Sequence, residues 1–357
     1  MALLSKCLVL PLTFLSSLAF ADGVSGLSYS HQDWELACDN TRTCRAAGYH
    51  SDGEELGVSV LLTRKAGPNE PVTGQLMIGQ YGENPTLDSL PSVFRLSLRM
   101  NERPVGGVTI SKSSLVAILT LKQVTALLAA LARKSHIELT TGDVIWPLSD
   151  KGAAAVLLKM DEFQGRIGTP GALVKKGSKD EGAVLPAVQV PVVIAASLPK
   201  PLPVDQLFAK KNSRALTEAV RATFKEDDCS GLTEAEGESA DLTATRLSDT
   251  KILISAQCWM GAYNIGYGFW VINSSPPYWP LLVTTLGSDH SDGTISASHK
   301  GRGLGDCWSS EAWTWDGRQF VHTEESSTGM CKLMAPGGAW SLPTIVTEVR
   351  PATQGKR

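Results

Sequence analysis

The sequence predicts a β-rich α+β fold with two disulfide-stapled modules, each β-sandwich-like with a few helices, joined by a proline-rich strap. Three observations predict this fold. Strand-like alternation dominates the chain, and helical spacing is confined to short segments. Six cysteines follow an N-terminal apolar segment, and six prolines fall within residues 169–203. Strands followed by helices are typical of α+β domains, and an even set of cysteines in an exported chain indicates a disulfide framework.

The N-terminal segment predicts a signal peptide spanning residues 1–21. Lys6 supplies the positive charge, residues 7–20 are almost all apolar or small, and Ala19-Phe20-Ala21 fits a cleavage site after Ala21. The apolar run is too short to cross a bilayer as a stable helix, which takes about 18 apolar residues or more, and no later stretch approaches that length. We therefore expect an exported, soluble mature chain of 336 residues (357 minus 21) without a membrane span.

Length and charge narrow the functional classes. A mature chain of this size favours two domains. Composition divides the sequence into a signal peptide (1–21), an N-terminal α+β module (22–168), a proline-rich strap (169–203), a C-terminal helix-plus-β module (204–351) and a tail (352–357). Loss of Lys6 with the signal changes the formal net charge from −3 to −4. A slightly acidic chain lacks the basic footprint of a nucleic-acid-binding protein, so no nucleic-acid partner is expected.

In the first module, alternating polarity predicts strands at Asp33–Cys38, Leu56–Arg64, Val93–Met100 and 137–140. Helical spacing predicts a helix over 121–131, with Thr120 and Gln123 as a capping box. A second helix is predicted after Ser149 as N-cap, continuing to Phe163. The module therefore combines strands with two helices.

The third module is predicted to open with a helix whose apolar stripe contains Leu216, Ala219, Val220 and Phe224. The following segment is rich in Gly, Trp, Tyr and turn residues, which is typical of strands. Its clearest element is a hairpin over 312–321 with Asp316-Gly317 as a two-residue turn. In that register Trp313 faces Phe320. We expect such cross-strand aromatic pairs to stabilise the sheet.

The cysteines predict three disulfides. Cys38 and Cys44 lie alone in the first module, on either side of five turn-forming or polar residues, which favours a local bridge. The other four allow three pairings, of which we favour Cys229–Cys258 and Cys307–Cys331. Redox exchange and zinc binding are less favoured, because Cys-x-x-Cys and finger-type spacings are absent.

No catalytic, cofactor or metal motif is recognisable, so the sequence favours a protein without a catalytic site or cofactor. It has no Gly-x-Ser-x-Gly, His-Glu-x-x-His or Gly-x-x-x-x-Gly-Lys segment. Gly301-Arg-Gly-Leu-Gly305 leads into a cysteine and not a βαβ helix, which indicates a tight turn. Two histidine neighbourhoods remain candidates, His299 with Lys300 and Arg302 for an anion, and His322 with Glu311, Glu324 and Glu325 for acid–base chemistry. Solvated or cross-strand roles are the default for both.

Aromatic residues provide the best indication of a ligand surface. Seven of the nine tryptophans lie at or after position 259. Exposed aromatic side chains can bind sugar rings or protein partners, whereas buried ones form a sandwich core. The possible ligand surface comprises Trp259, Tyr263, Tyr267, Trp308, Trp313, Trp315 and Arg302.

Four segments resemble a bacterial exported family catalogued as domain of unknown function 1176: Asp33-Trp-Glu-Leu-Ala-Cys-Asp-Asn-Thr-Arg-Thr-Cys-Arg-Ala-Ala-Gly-Tyr49, Cys258-Trp-Met-Gly-Ala-Tyr-Asn264, Gly301-Arg-Gly-Leu-Gly-Asp-Cys307 and Trp313-Thr-Trp-Asp-Gly-Arg-Gln-Phe320. The resemblance covers nearly the whole mature chain and includes six cysteines, which that family characteristically carries. The Trp-Glu-Leu-Ala-Cys opening also distantly resembles invasion-associated locus B proteins. These resemblances imply a Gram-negative periplasmic protein of unassigned role and bring no catalytic residues.

Three functions are compatible with these observations. The favoured one is a periplasmic, envelope-associated binding protein whose partner is an envelope glycan or a periplasmic protein. The second is an inhibitor or chaperone-like partner protein that presents the disulfide-held loop 39–43. The third is a hydrolase of an envelope polymer, which requires acidic residues or a histidine to converge in a pocket.

Overall fold

The computed structural model describes residues 24–233 and 241–352. The predicted signal peptide and nearly all of the predicted tail lie outside the described residues. Within them, strands far outnumber helices, which confirms the β-rich α+β class. No helix in these two ranges is long and apolar enough to cross a membrane.

The N-terminal half forms two antiparallel sheets. In chain order its elements are β1 (Leu27–His31), β2 (Trp34–Cys38), β3 (Cys44–Tyr49), β4 (Val58–Arg64), β5 (Val72–Ile78), α1 (Pro85–Ser89), β6 (Val93–Met100), β7 (Arg103–Ser111), β8 (Val116–Leu119), α2 (Leu121–Leu131), β9 (Ile137–Thr141), β10 (Val144–Leu148) and α3 (Ala153–Phe163). One sheet has the order β1-β2-β3-β4-β5-β8 and the other β10-β9-β6-β7. Both contribute to one core, which also contains the apolar faces of α2 and α3.

The capping box of α2 is present as predicted. The Thr120 side chain accepts from the Gln123 N–H, and the Gln123 side chain accepts from the Thr120 N–H at 2.8 Å. The predicted N-cap of α3 is wrong, because the helix begins at Ala153 after Gly152, whose φ of 92° suits glycine. Ser149 instead lies three residues upstream, where its hydroxyl donates to Asp33 at 2.6 Å.

The strap is docked on the protein along much of its length. The Arg42 guanidinium donates to the Pro186 carbonyl at 2.9 Å, and the Val188 N–H donates to the Thr41 carbonyl at 3.2 Å. A short strand, β11 (Val192–Ala195), follows. Hydrogen bonds with neighbouring segments thus hold the strap as an ordered connection.

The C-terminal half is a β-sandwich with helices on one side. Its elements are α4 (Pro203–Arg221), α5 (Ser230–Thr233), β12 (Thr243–Arg246), β13 (Lys251–Met260), β14 (Ile265–Asn273), β15 (Leu281–Gly287), β16 (Asp289–Ser291), β17 (Thr294–Lys300), β18 (Trp308–Trp315), β19 (Phe320–Ser327), β20 (Leu342–Ile345) and β21 (Glu348–Pro351). The sheet β12-β13-β14-β15 packs one face on α4 and α5 and the other on the sheet β16-β17-β18-β19-β20. Strand β21 returns to pair in parallel with β11.

The three disulfides are Cys38–Cys44, Cys229–Cys258 and Cys307–Cys331, which are the pairings favoured from the sequence. Cys38 and Cys44 are directly opposite on β2 and β3. Cys229 precedes α5 and Cys258 lies on β13, so their bond fastens this short helix to the sheet.

The hairpin formed by β18 and β19 has a longer turn than predicted. Trp315 pairs with Phe320, so the loop contains four residues and the predicted pairing of Trp313 with Phe320 is wrong. The Asp316 carboxylate accepts from the N–H groups of Arg318 and Gln319 at 2.7 and 2.8 Å. This side chain stabilises a wider turn than the Asp-Gly pair alone requires.

The two halves meet on the face of the six-stranded sheet that is turned away from its own core. The C-terminal segment 328–342 packs there on Ala37, Ala47, Tyr49 and Leu61 through Met330, Met334, Ala339, Trp340 and Leu342. The Trp340 indole donates to the Ser59 hydroxyl at 2.7 Å. The Lys332 ammonium lies 2.9 Å from Asp33 and 2.6 Å from Asp52. An apolar contact with a polar border therefore joins the halves.

Candidate binding surface

Two loops of the C-terminal sandwich lie side by side and are joined by hydrogen bonds. One is the turn between β13 and β14, and the other runs from Gly301 to Cys307. The Asn264 amide donates to the Lys300 carbonyl and accepts from the Lys300 N–H, both at 2.9 Å. The second loop is closed by the Gly301 N–H, which donates to the Cys307 carbonyl at 2.9 Å. Both loops thus form an ordered platform.

Tyr263 occupies the centre of this platform. Its residue surface is 53% exposed, and its ring lies against Gly303, where a Cβ atom would approach Tyr263 Cε1 to 3.0 Å. Glycine therefore allows the close approach between ring and backbone. Leu304 is 55% exposed beside it, and the carbonyl of this leucine accepts from the Tyr81 hydroxyl of the N-terminal half. We call Tyr263, Lys300, Arg302, Leu304 and Trp308 the Tyr263 surface.

Two cations lie on the segment that meets the Tyr263 turn, Lys300 at the end of β17 and Arg302 in the loop that follows. The Arg302 guanidinium donates twice to the Asp306 carboxylate, at 2.7 and 2.6 Å. This contact raises the pKa of Arg302; burial opposes ionisation of Asp306, but the Arg302 bonds outweigh it and leave the pKa of Asp306 below its ordinary value. The Lys300 ammonium lies 5.4 Å from the centre of the Trp308 ring, a cation–π distance. The surface therefore offers aromatic faces next to fixed charges.

Only some of the predicted aromatic residues belong to this surface. Trp259 is half-buried and its indole donates to the Thr285 carbonyl at 3.0 Å. Tyr267 packs with the cluster between the two sheets. Trp313 and Trp315 are 8% and 1% exposed in the same cluster, so their assignment to a ligand surface is wrong. They alternate along β18 toward the interior of the sandwich, where large apolar side chains gain most from burial.

The sequence predicts Lys300 only as part of an anion site with His299 and Arg302, and it does not predict Leu304 as a site residue. Lys300 ends β17 and Leu304 lies in a glycine-rich loop, so neither shows a pattern that marks exposure. Only the contact between the two loops brings them beside Tyr263. Once the structure is known, the exposed leucine and the exposed tyrosine together indicate an interaction surface.

One group of metal-ligating residue types occurs near this surface. Atoms of Asp306, Cys307 and Cys331 lie within 4.8 Å of one another. Both cysteine sulfurs are joined in a disulfide, and metal ligation by cysteine requires a thiolate. Asp306 is in turn bonded to Arg302. This group is therefore unsuited to hold a metal ion.

Acidic side chains converge at a second place, between the two halves. A cavity of about 140 Å³ is lined by Glu35, Glu311 and Glu325 together with serine residues. Glu311 and Glu325 are directly opposite on β18 and β19, and the His322 Nε2 lies 3.4 Å from the Glu311 carboxylate without forming a hydrogen bond. Of the acidic residues that the sequence predicts around His322, Glu311 thus lies next to it and Glu325 lies opposite Glu311.

Glu35 has the most constrained environment in this acidic cavity. Its Oε1 accepts from the Tyr49 hydroxyl at 2.6 Å and from the Met330 N–H at 2.7 Å. Burial raises the pKa of Glu35, although both hydrogen bonds act in the opposite direction. The charge of this carboxylate is therefore costly in the folded protein.

The loop between Cys38 and Cys44 does not protrude. Asp39 and Thr41 are buried, and the Asp39 carboxylate accepts from the Thr41 N–H and from Arg45, both at 2.9 Å. The Gln164 amide donates to the Arg42 carbonyl at 2.9 Å. The loop is thus covered by neighbouring segments and lacks the geometry expected of an inhibitory loop.

Comparison with known proteins identifies the family. The family model described as "Protein of unknown function (DUF1176)" matches residues 28–347, which include every strand from β2 to β20. The chain belongs to this family. The expectation drawn from the four sequence segments is confirmed, whereas the distant resemblance to invasion-associated locus B proteins stays a prediction.

A similar protein is the uncharacterized protein YpfG of Escherichia coli (strain K12). It is 25% identical over 332 residues, which cover 88% of this chain and 90% of YpfG. No solved structure matches this chain. Tyr263, Arg302 and Leu304 of the Tyr263 surface lie in two of the segments on which the family resemblance was based, 258–264 and 301–307, and Lys300 and Trp308 flank the second segment.

Proposed function

We propose that this family member is a periplasmic binding protein that holds a sugar-containing envelope polymer on the Tyr263 surface. The observation that carries the proposal is the half-exposed Tyr263 ring, seated on Gly303 in loops that hydrogen bonds hold in place. Three disulfides support an exported protein, because such bonds persist in oxidising compartments such as the periplasm.

The chemistry of the surface favours a sugar ring. A tyrosine face provides apolar contact for the C–H groups of a pyranose and costs little side-chain entropy. The adjacent Arg302 side chain is 38% exposed and its guanidinium is held in a fixed plane by the buried Asp306 carboxylate, so its N–H groups can donate to ligand hydroxyl oxygens. Because the loops are already ordered, binding requires little further ordering of the protein.

The experiment compares Tyr263→Ala with Trp279→Ala. Trp279 is 74% exposed and lies beyond the other end of β14, so it is a matched exposed aromatic outside the surface. Purified mature protein is sedimented with insoluble peptidoglycan and titrated with lipopolysaccharide. We expect wild type and Trp279→Ala to bind one of these polymers, and Tyr263→Ala to bind it at least about tenfold more weakly.

Equal binding by all three proteins, or no binding of wild type to either polymer, would contradict the proposal. Capture of a periplasmic protein through Tyr263, without polymer binding, would assign the surface to a protein partner instead. Thermal unfolding of each variant establishes that the fold is retained.

A second candidate function is hydrolysis of an envelope polymer in the acidic cavity. The observation that favours it is the pair of Glu311 and Glu325 in the wall of this cavity, with His322 3.4 Å from Glu311, since paired carboxyl groups and a nearby histidine supply acid–base chemistry. Release of soluble fragments from peptidoglycan by wild type, abolished in Glu311→Gln, would favour this function over binding.

A further inference from the structure

The C-terminal sandwich is open along one side. Its two sheets end there in the edge strands β12 and β16, which do not pair with each other. Two adjoining cavities, of about 290 and 530 Å³, lie between these edges and share Thr245 and His290 in their walls. Together they have the size of small-molecule sites, which is about 300–1,000 Å³. We call this space the edge groove.

The floor of the edge groove is aromatic and its walls carry hydroxyl groups. Tyr267 and Phe269 lie at the base, beside Leu253. Thr243 and Ser255 face each other across β12 and β13 with their hydroxyl oxygens 2.5 Å apart, and Thr245 lies next to them. The residues 196–201 of the strap form the opposite lip. The groove therefore pairs an apolar base with polar sides.

His290 lies at the junction of the two cavities. Its ring centre is 6.4 Å from that of Phe269 and 6.2 Å from that of Phe320. Burial lowers the pKa of His290, although Asp289 and Asp292 act in the opposite direction. Among the described residues nothing forms a hydrogen bond with its buried Nε2. This nitrogen is covered by its surroundings, which include the Phe269 and Phe320 rings, so a ligand in the groove meets the other atoms of the imidazole.

The charges at the groove disfavour an anion. Asp289 and Asp292 lie at the rim, and Lys200 lies on the strap. The Arg246 guanidinium at the rim is already held by Asp205, at 3.0 and 2.6 Å. A phosphate or carboxylate ligand would thus be repelled by the two aspartates and attracted by Lys200, so the net electrostatic attraction is small.

The edge strands also disfavour an added peptide strand. A β-strand can extend a sheet only if the backbone groups of the edge are available. The Ala244 carbonyl of β12 already accepts from the Gln206 amide of α4 at 3.0 Å. Helix α4 therefore covers part of the β12 edge.

We propose that the edge groove binds one neutral sugar ring, stacked on Tyr267, hydrogen-bonded by Thr245 and in contact with the His290 ring. Apolar C–H groups of the ring contact the aromatic floor, and its hydroxyl groups reach the threonine and aspartate side chains on the walls. No residue is shared with the Tyr263 surface, so this site is independent of the function proposed above.

The test uses full-length mature protein with glucose and N-acetylglucosamine as probes and inorganic phosphate as the anionic contrast. Imidazole NMR signals report on His290, and the spectrum of His290→Phe assigns them. We expect one or both sugars to shift the His290 signals in a saturable manner, whereas phosphate does not. Thr245→Val, which removes a hydroxyl at nearly constant shape, and Tyr267→Ala should each weaken sugar binding about tenfold.

Trp279→Ala is the matched control, because it removes an exposed aromatic side chain outside both the edge groove and the Tyr263 surface and should leave the sugar affinity of the edge groove unchanged. The proposal is overturned if neither sugar shifts the His290 signals, if phosphate shifts them instead, or if Thr245→Val binds the sugar as tightly as wild type. Thr245→Val keeps the test decisive where Tyr267→Ala fails to fold.

Discussion

Arg166 shows how one buried charge holds a loop of the strap on the N-terminal half. Its side chain has no exposed surface, and its guanidinium lies 3.1 Å from Glu181. It donates to the carbonyls of Lys65 and Gly67 at 3.1 and 2.6 Å and to the Gln164 side chain at 2.9 Å. Because every direction of the guanidinium fork has a partner, the charge is tolerated.

We expect Arg166→Met to lower the free energy of unfolding by about 3–5 kcal/mol, because Glu181 would lose its cationic partner and the Lys65 and Gly67 carbonyls would lose their donor. Lys159→Met is the matched control. Lys159 forms an exposed pair with Glu162 at 2.8 Å, and such pairs contribute about 0–1 kcal/mol. Urea unfolding of both variants gives the comparison. Similar losses in the two variants would contradict the role of Arg166.

Nothing in the sequence distinguishes Arg166 from an exposed arginine at a module boundary. Its partners Lys65 and Gly67 are about one hundred residues away along the chain. The same limit applies to Trp313 and Trp315, whose clustering was evident but whose burial was not. Exposure depends on which sheet packs over a strand, and local pattern does not contain that information.

At the scale of single elements, local sequence patterns predicted that a helix or hairpin exists better than they predicted where it begins or turns. The capping box of α2 depends on residues three positions apart, so the sequence contains the whole interaction. The N-cap of α3 was misplaced because Ser149 is used by Asp33, which is 116 residues away. The four-residue turn after Trp315 is stabilised by the Asp316 carboxylate, and this side-chain interaction favours it over the predicted two-residue turn.

The two disulfides with different loop lengths provide a prediction at this scale. Cys229 and Cys258 are 29 positions apart, whereas Cys38 and Cys44 are 6 apart. Because loop-closure entropy grows with loop length, replacing the first pair by alanine should cost about 3–4 kcal/mol and the second pair about 2 kcal/mol. Denaturant unfolding without reductant measures both. A larger loss from the shorter loop would contradict the entropic account.

At the scale of the whole molecule, the contact between the halves combines groups with opposite responses to pH. Burial opposes ionisation of Asp33, but its bonds from Ser149 and Lys332 outweigh burial and hold its pKa below the ordinary value. This stabilisation is present above about pH 4 and is lost as pH falls through the lowered pKa. Burial raises the pKa of Glu35, so Glu35 acts in the opposite sense.

The sign for Glu35 gives a pH-dependent prediction. A carboxyl group whose pKa is raised on folding stabilises the protein fully below its unfolded value, about 4.5, and this contribution is lost as pH rises through the folded pKa. Glu35→Gln should therefore be as stable as wild type below this window and more stable above it. The substituted amide keeps both native bonds, because they reach a single oxygen, Oε1, which the amide retains as an acceptor.

Thermal unfolding from acidic to neutral pH measures the difference between Glu35→Gln and wild type. Glu54→Gln is the control, since Glu54 is an exposed glutamate of the same half. A difference that shrinks as pH rises, or an equal effect of Glu54→Gln, would show that burial of Glu35 does not determine this dependence.

The sequence by itself determined the β-rich class, the local Cys38–Cys44 bridge and the family, because each depends on local alternation, spacing or motif. The tertiary structure alone decided which aromatic residues reach the surface, how the strap docks and where carboxyl groups converge. These features arise from contacts between residues that are distant in the chain, and chain folding brings them together only when whole sheets pack.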